Sequence, residues 1–169
     1  MNILRKRKDK GFTIIEVVLV LAIAALIFAM VFIALPALQR SQRDSQRKND
    51  LARMQDAITS YTSNNRGSLP VTSGKINSTF EKTYLESGGD TFVDPSGPSA
   101  NQTATDYVLT VAPENPLTET FNTTGQNVIF YTIGAVCNPT DSTSTTSAGS
   151  RSIALQMTLE GGGVTCLNN

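Results

Sequence analysis

The sequence contains no histidine and no tryptophan, and it has only two cysteines among 169 residues. Histidine is the commonest general base and the commonest metal ligand, so its absence argues against the usual hydrolases and metalloenzymes. The two cysteines, Cys137 and Cys166, are spaced neither as zinc ligands nor as a redox CxxC motif. We therefore expect no catalytic residues, no metal site and no cofactor, and we do not expect an enzyme.

Net charge is also absent, because 14 basic side chains balance 14 acidic ones, but the charges are segregated along the chain. Residues 1–11 carry five basic side chains and one acidic one, and residues 12–39 carry a single charge. Residues 40–66 are basic, whereas residues 67–169 carry nine acidic and three basic side chains. Such blocks indicate segments in different surroundings, and the acidic C-terminal part argues against nucleic acid as the main partner.

Charge is missing altogether from Val17 to Leu35, where 19 consecutive residues are apolar. A helix rises about 1.5 Å per residue, so about 20 residues cross a hydrocarbon core of about 30 Å. The basic residues 1–11 precede this run closely, and the next charged residue after it is Arg40. The positive-inside rule then places residues 1–11 in the cytoplasm and the C-terminal bulk outside.

Three kinds of segment share this pattern. A secretory signal peptide has an apolar stretch of about 7–15 residues followed by a small-residue cleavage site, and Leu35-Pro36-Ala37 is a weak one. A plain membrane anchor has no need of Glu16, because a carboxylate at the centre of an inserted helix costs at least about 2.5 kcal/mol. An interfacial glutamate near the cytoplasmic end stays open as an alternative. The third kind is a leader that is cut before the apolar run.

From Lys10 to Glu16 the sequence reads KGFTIIE. This junction resembles the class III signal of type IV prepilins, which has a basic leader, a glycine, a phenylalanine and then a glutamate as the fifth mature residue. The resemblance makes Gly11 the last leader residue and Phe12 the mature N-terminus, with Glu16 as that glutamate. It implies that a prepilin peptidase in the membrane cuts after Gly11 on the cytoplasmic face and N-methylates Phe12.

The same resemblance gives Glu16 a role in assembly. In that family the glutamate pairs with the N-terminal amine of a neighbouring subunit, which here is the amine of Phe12. A buried charge is tolerated when it is paired, and a buried polar group can specify the register of one helix against the next. The expected partners are other copies of the chain in a helical homopolymer, the prepilin peptidase, the assembly machinery of the cytoplasmic membrane and, before assembly, membrane lipid.

Beyond the apolar run the sequence predicts that the helix continues. Pro36 removes one backbone hydrogen bond and is expected to kink it. Leu51, Met54, Ile58 and Tyr61 recur at the helical period and form one apolar stripe. The basic and acidic residues that precede and interleave with this stripe predict either a solvated face or contacts with acidic patches of adjacent subunits.

The C-terminal part carries strand signals, which are alternating or β-branched runs at Asp106–Ala112, Asn127–Cys137, Ser152–Leu159 and Val164–Leu167. We expect three or four antiparallel strands with one apolar face packed on the helical stripe. Thr140–Ser150 is polar and of low complexity, so we expect a flexible solvated loop, with O-linked glycans or adhesive contacts as the alternative.

In an exported chain, Cys137 and Cys166 are expected to form one structural disulfide, and the alternative is two buried free thiols. Cys137 ends one predicted strand and Cys166 lies in the last, so a bridge between them would staple the C-terminal loop. The resemblance to type IV pilins implies the same pairing, since a C-terminal disulfide commonly encloses an exposed loop in that family.

These observations predict an α+β, pilin-like fold, in which a long N-terminal helix with a membrane-embedded first half packs on a small antiparallel β-sheet. The predicted segments are a leader removed by the prepilin peptidase (residues 1–11), a transmembrane and filament-core helix (12–38), an amphipathic helix (39–66) and a β-rich globular domain (67–169).

The expected function is that of a structural subunit of a type IV pilus, used for adhesion, surface motility or DNA uptake. The chain would lie in the cytoplasmic membrane before assembly and in an extracellular pilus afterwards. A type II secretion pseudopilin shares every N-terminal feature and is one alternative. A membrane-tethered adhesion or binding domain that never polymerises is an alternative of another class, and Glu16 favours a polymerising subunit over it.

Overall fold

The computed structural model of the chain describes residues 11–87, 91–97, 106–118 and 128–169. Its first element is the helix α1 (Ile14–Asn64). The chain divides into two compact units, Met1–Gln39 and Arg40–Asn169, and α1 contributes to both. Apart from Gly11, the predicted leader lies outside the described residues, and the predicted segment boundaries stay predictions.

The described part of the first unit is apolar and exposed. Large hydrophobic side chains from Phe12 to Leu38 are exposed on every side of α1, and Phe12 is 84% exposed. A helix that is apolar all round requires apolar surroundings, such as lipid or other helices. By length and composition α1 is able to cross a membrane. Pro36 lies inside α1, which continues past it, and the kink there stays a prediction.

The second unit begins with the remaining turns of α1, and a short hairpin and a short helical segment follow. The hairpin consists of β1 (Val71–Thr72) and β2 (Lys75–Ile76), and the helical segment of α2 (Ser78–Phe80) and a π-helical turn (Glu81–Leu85). Phe80 and Leu85 are buried, so this segment supplies part of the core.

The main sheet has four strands in the spatial order β3-β4-β7-β8, which are β3 (Val108–Val111), β4 (Val128–Ile133), β7 (Ile153–Thr158) and β8 (Val164–Asn168). The pairs β4–β7 and β7–β8 are antiparallel, as predicted. The pair β3–β4 is parallel, so the expectation of a wholly antiparallel sheet is wrong at this edge. A parallel pair needs a crossover of about a dozen residues or more, and residues 112–127 are long enough to supply it.

The core lies between α1 and one face of this sheet. Leu51, Met54 and Ile58 of the predicted helical stripe are fully buried, and Tyr61 packs half-buried at its end. They meet alternate side chains of the two central strands, which are Ile129, Tyr131, Ile153, Leu155 and Met157. Side chains on one face recur about every 3.6 residues in the helix and every 2 residues in the strands, so each element presents one apolar face. These two faces pack together.

On the opposite face of the sheet, β7 and β8 are covered by a second hairpin, formed by β5 (Ala135–Asn138) and β6 (Asp141–Ser147). The predicted single strand Asn127–Cys137 is interrupted at Gly134, whose φ of +72° lies in the left-handed region that favours glycine. The expectation of a flexible solvated loop at Thr140–Ser150 is wrong about the loop, because most of that segment is the strand β6, but most of its residues are exposed or half-buried.

The fold is α+β, with a long N-terminal helix and small, mostly antiparallel sheets, and that prediction is confirmed. Cys137 in β5 and Cys166 in β8 form a disulfide with a Cα–Cα distance of 5.9 Å. The bridge therefore joins the second hairpin to the edge strand of the main sheet.

Candidate functional site

The start of α1 is formed by the residues of the predicted processing signal. Gly11 to Thr13 precede the helix, and Thr13 caps it. The Glu16 backbone N–H donates to the carbonyl oxygen of Thr13 at 3.1 Å and to its Oγ1 at 3.3 Å. A threonine hydroxyl that accepts from the third helical residue is a standard N-cap, which fixes where the helix begins.

Glu16 therefore occupies the third position of the helix, and Thr13-x-x-Glu16 has the pattern of a capping box. A carboxylate in the first turn is also favoured by the helix dipole. The sequence pattern alone could have revealed this capping role, which we did not infer from it. Glu16 thus has a local structural role in addition to the predicted intermolecular one.

The predicted scissile bond, Gly11–Phe12, lies before the first helical residue and outside the helical hydrogen-bond ladder. A peptidase can reach such a bond without first breaking helical hydrogen bonds. Cleavage there would create an α-amine on Phe12 four residues ahead of Glu16. In the uncut chain this amine does not exist, so its pairing with Glu16 of a neighbour stays a prediction.

The second unit contains a buried group of charges at the beginning of its part of α1. Arg47 is 0% exposed, and its guanidinium donates to both carboxylate oxygens of Asp94, from Nε at 2.8 Å and from Nη2 at 3.0 Å. Its Nη1 donates to Asp44 at 2.9 Å, and its Nη2 also bonds the Ser96 hydroxyl. We call Arg43, Asp44, Arg47, Asp94 and Glu160 the ionic cluster.

Asp44 links this cluster to the turn between β7 and β8. Its two carboxylate oxygens accept the backbone N–H groups of Glu160 at 2.9 Å and Gly161 at 2.8 Å. A Cβ on residue 161 would lie 3.0 Å from Asp44 Oδ2, so a larger residue there would require Asp44 to move by a few tenths of an ångström. Arg43 holds the Glu160 carboxylate with two hydrogen bonds, of which the one from Nε is 2.7 Å long.

The environment shifts the titration of these groups. Burial alone would lower the pKa of Arg47, but the bonds to Asp94 and Asp44 outweigh it, so the pKa is raised. The hydrogen bonds from Arg43 lower the pKa of Glu160 against the opposing effect of its partial burial. Both shifts favour the charged forms of Arg47 and Glu160, as expected for groups that are held in ion pairs.

The ionic cluster corrects the sequence prediction for part of this stretch of helix, since a solvated face or contacts with adjacent subunits were expected for its charges. Arg40, Lys48 and Asp56 are exposed, as on a solvated face. Asp44, Arg47 and Asp50 are buried within the chain's own second unit. Asp50 accepts a hydrogen bond from the Tyr107 hydroxyl at 3.0 Å, and burial raises the pKa of both groups. These charges extend the buried stripe of α1 toward its N-terminal side, where apolar side chains are missing.

Replacing Glu160 with glutamine is expected to lower stability at neutral pH by on the order of 1 kcal/mol, as for a partly exposed charged pair. A carboxyl whose pKa is lower in the folded chain stabilises the fold above its unfolded pKa of about 4.3 and loses that contribution as the pH falls through its folded pKa. The difference in urea-unfolding free energy between wild type and variant, measured for the full chain in detergent micelles, should therefore shrink below about pH 4.

The matched control for this prediction is Asp56→Asn, an exposed carboxylate on the same helix. It should leave the unfolding free energy within about 0.5 kcal/mol of wild type at pH 7. A stability difference for Glu160→Gln that stays constant between pH 7 and pH 3 would contradict the ion-pair interpretation.

The described residues contain no group of three or more His, Cys, Asp or Glu side chains placed to hold a metal ion. The acids of the ionic cluster are instead neutralised by arginines of α1. The described part of the second unit is thus held together by ion pairs and by packing of apolar side chains.

Comparison with protein families gives one match. Residues 6–32 match the family model of the prokaryotic N-terminal methylation motif, which is the class III signal of type IV pilins. The match includes Gly11, Phe12 and Glu16 and ends before the second unit begins. No curated protein and no solved structure matches the chain. The chain therefore carries a prepilin-type signal, and such signals belong to structural proteins processed by a prepilin peptidase.

Proposed function

We propose that the chain is a structural subunit of a type IV pilus filament, assembled by packing of α1 against α1 of other copies, with Glu16 setting the register. The observation that carries the proposal is the methylation motif at residues 6–32, read together with the exposed apolar surface of α1 that follows it. The motif accounts for processing and membrane insertion, and the apolar surface requires either lipid or neighbouring helices.

Glu16 supports assembly over simple tethering. It is the one charged residue between Phe12 and Gln39, and it lies in the first turn of a helix whose other residues are apolar as far as Leu38. A paired carboxylate would align one helix against the next, because any other register would leave a charge without its partner. The same argument holds for a pseudopilin of a type II secretion system, whose N-terminal features are shared.

The second unit suits a subunit that is displayed on a filament. It has its own core, a disulfide and an ionic cluster, so its fold does not depend on the apolar segment. Residues 67–169 are acidic overall, which favours solubility outside the membrane. We therefore propose that the second unit faces the exterior while the segment before it lies in the membrane or in the filament core.

The proposal predicts a surface filament whose subunit begins at Phe12. Filaments sheared from cells should contain the chain by immunogold electron microscopy, and intact-mass analysis should give a mature chain from Phe12 with one added methyl group. A chain that still begins at Met1, or begins after Ala37, would contradict the class III processing.

Two further observations would separate the alternative functions from a pilus subunit. A correctly processed chain that stays with the membrane fraction and never appears in filaments would favour the tethered domain. Filaments that form only when the chain is overproduced, together with a loss of protein secretion when the gene is deleted, would favour the pseudopilin.

A further inference from the structure

We infer that two amide side chains hold the β5–β6 hairpin in place without requiring the disulfide, Gln156 from the main sheet and Asn115 from the segment that follows β3. This inference does not depend on the filament function, because all of its residues lie in the second unit. It concerns how the surface formed by the hairpin is held in place.

Gln156 is the first part of this amide latch. It lies in the middle of β7 on the face opposite α1, and it is 2% exposed. Its Nε2 donates to the carbonyl oxygens of Ser142 at 3.0 Å and Thr143 at 2.9 Å, both in β6. A buried amide is costly unless its hydrogen bonds are made, so the sheet favours the conformation in which β6 lies over Gln156.

Asn115 is the second part, and it acts on the edge of β6 that does not pair with β5. Its Nδ2 donates to the Thr145 carbonyl at 2.8 Å, and its Oδ1 accepts the Thr145 N–H at 2.8 Å. The Leu117 N–H donates to the Thr143 carbonyl at 2.6 Å. The segment 115–117 thus pairs with β6 as a short additional strand would, and it satisfies backbone groups that a sheet edge leaves open.

The disulfide acts at a different place, since Cys137 belongs to β5 and Cys166 to the edge strand β8. A disulfide stabilises mainly by restricting the unfolded chain. The latch contacts instead exist only in the folded unit and need no oxidant. The second unit is therefore built to reach its fold, with the hairpin docked, before the cysteines oxidise.

The test is amide hydrogen exchange of the full chain in micelles, compared between wild type and the double variant Cys137→Ser/Cys166→Ser. The reporters are the Thr145 and Leu117 amides, which make the latch bonds, and the Leu155 amide in the buried strand β7. We expect all three to accelerate by about the same factor, since the variant lowers global stability only. Acceleration at Thr145 and Leu117 that exceeds that at Leu155 by more than about tenfold would show local release of the hairpin and overturn the inference.

The converse experiment keeps the disulfide and removes the latch. Gln156→Leu should accelerate exchange at Thr145 by more than about tenfold relative to Leu155, because β6 then opens locally. The matched control is Gln55→Leu, since Gln55 Nε2 donates at 2.7 Å to the carbonyl of Asn168 in β8 and makes no part of the latch. That control should leave the ratio unchanged.

Asn115→Ala provides an independent arm if Gln156→Leu does not fold. Asn115 lies outside the main sheet, so its truncation leaves the core of the unit intact. Faster exchange at Leu117 relative to Leu155 is expected. An unchanged ratio of Leu117 to Leu155 exchange in the oxidised protein would show that Asn115 does not hold the hairpin and would overturn its part in the inference.

Discussion

Changing Glu16 to glutamine is expected to reduce filament yield by more than about tenfold, because removal of one partner of a buried charge pair costs about 2–5 kcal/mol. On the proposed assembly role, the Phe12 amine of each subunit would then lie unpaired against a neighbouring helix. Glutamine is the informative replacement, since it also fits the third position of a capping box and so keeps the helix start. Cleavage after Gly11 should be retained, as checked by the mass of the mature chain.

Thr13→Val is the matched variant for this experiment. It removes the hydroxyl that accepts the Glu16 N–H but keeps the carboxylate, so it costs only the cap, about 0.5–2 kcal/mol. Filaments should therefore form from Thr13→Val and fail with Glu16→Gln. Equal loss in both variants would assign the effect to the helix start, and wild-type yield from Glu16→Gln would remove the register role altogether.

The prepilin-type signal can be predicted from the sequence because its features are local. The apolar run, the basic residues before it and the spacing from Gly11 to Glu16 are all read within about two dozen residues. The core stripe of α1 is predicted for the same reason, since Leu51, Met54 and Ile58 repeat at the helical period and are buried as expected.

The ionic cluster could not be predicted, because the bonds that join α1 to other segments link residues that are distant in sequence. Asp94 is 47 positions away from Arg47, and the bond from Arg43 to Glu160 spans 117 positions. Until the fold brings these groups together, a charged helix face looks the same whether it faces water or a buried carboxylate. Periodicity therefore reports where apolar residues are buried, and it is silent about buried charges.

The strand β6 was missed for a related reason. Its polar composition is typical of a solvated loop, but its inward side meets the amide groups of Gln156 and Asn115. Threonine is also a good strand former, because its branched Cβ suits extended backbone. The polar composition does match the exposure of β6, since Thr145 is the one buried residue of this strand, but composition does not reveal that its backbone pairs with β5.

Arg47→Met is expected to destabilise the second unit by about 3–5 kcal/mol, a large part of the stability of an ordinary domain. Methionine fills much of the space of the arginine side chain, but it leaves the carboxylate of Asp94, 0% exposed, without its main partner. The measurement is urea unfolding of the full chain in micelles, followed by circular dichroism. The neighbouring change Lys48→Met, at an exposed position, should alter stability by no more than about 0.5 kcal/mol.

The double variant Arg47→Met/Asp94→Asn tests whether the cost comes from the stranded charge. An asparagine at position 94 removes the charge and can still accept the Ser96 N–H, which donates to Asp94 Oδ1 at 2.8 Å. The double variant should therefore recover most of the stability lost in Arg47→Met, as expected for coupled residues. If the stability losses of the single variants Arg47→Met and Asp94→Asn simply add in the double variant, the role of Arg47 is packing and the ion pair contributes little. Recovery of stability would instead show that the loss in Arg47→Met comes from the unpaired carboxylate of Asp94.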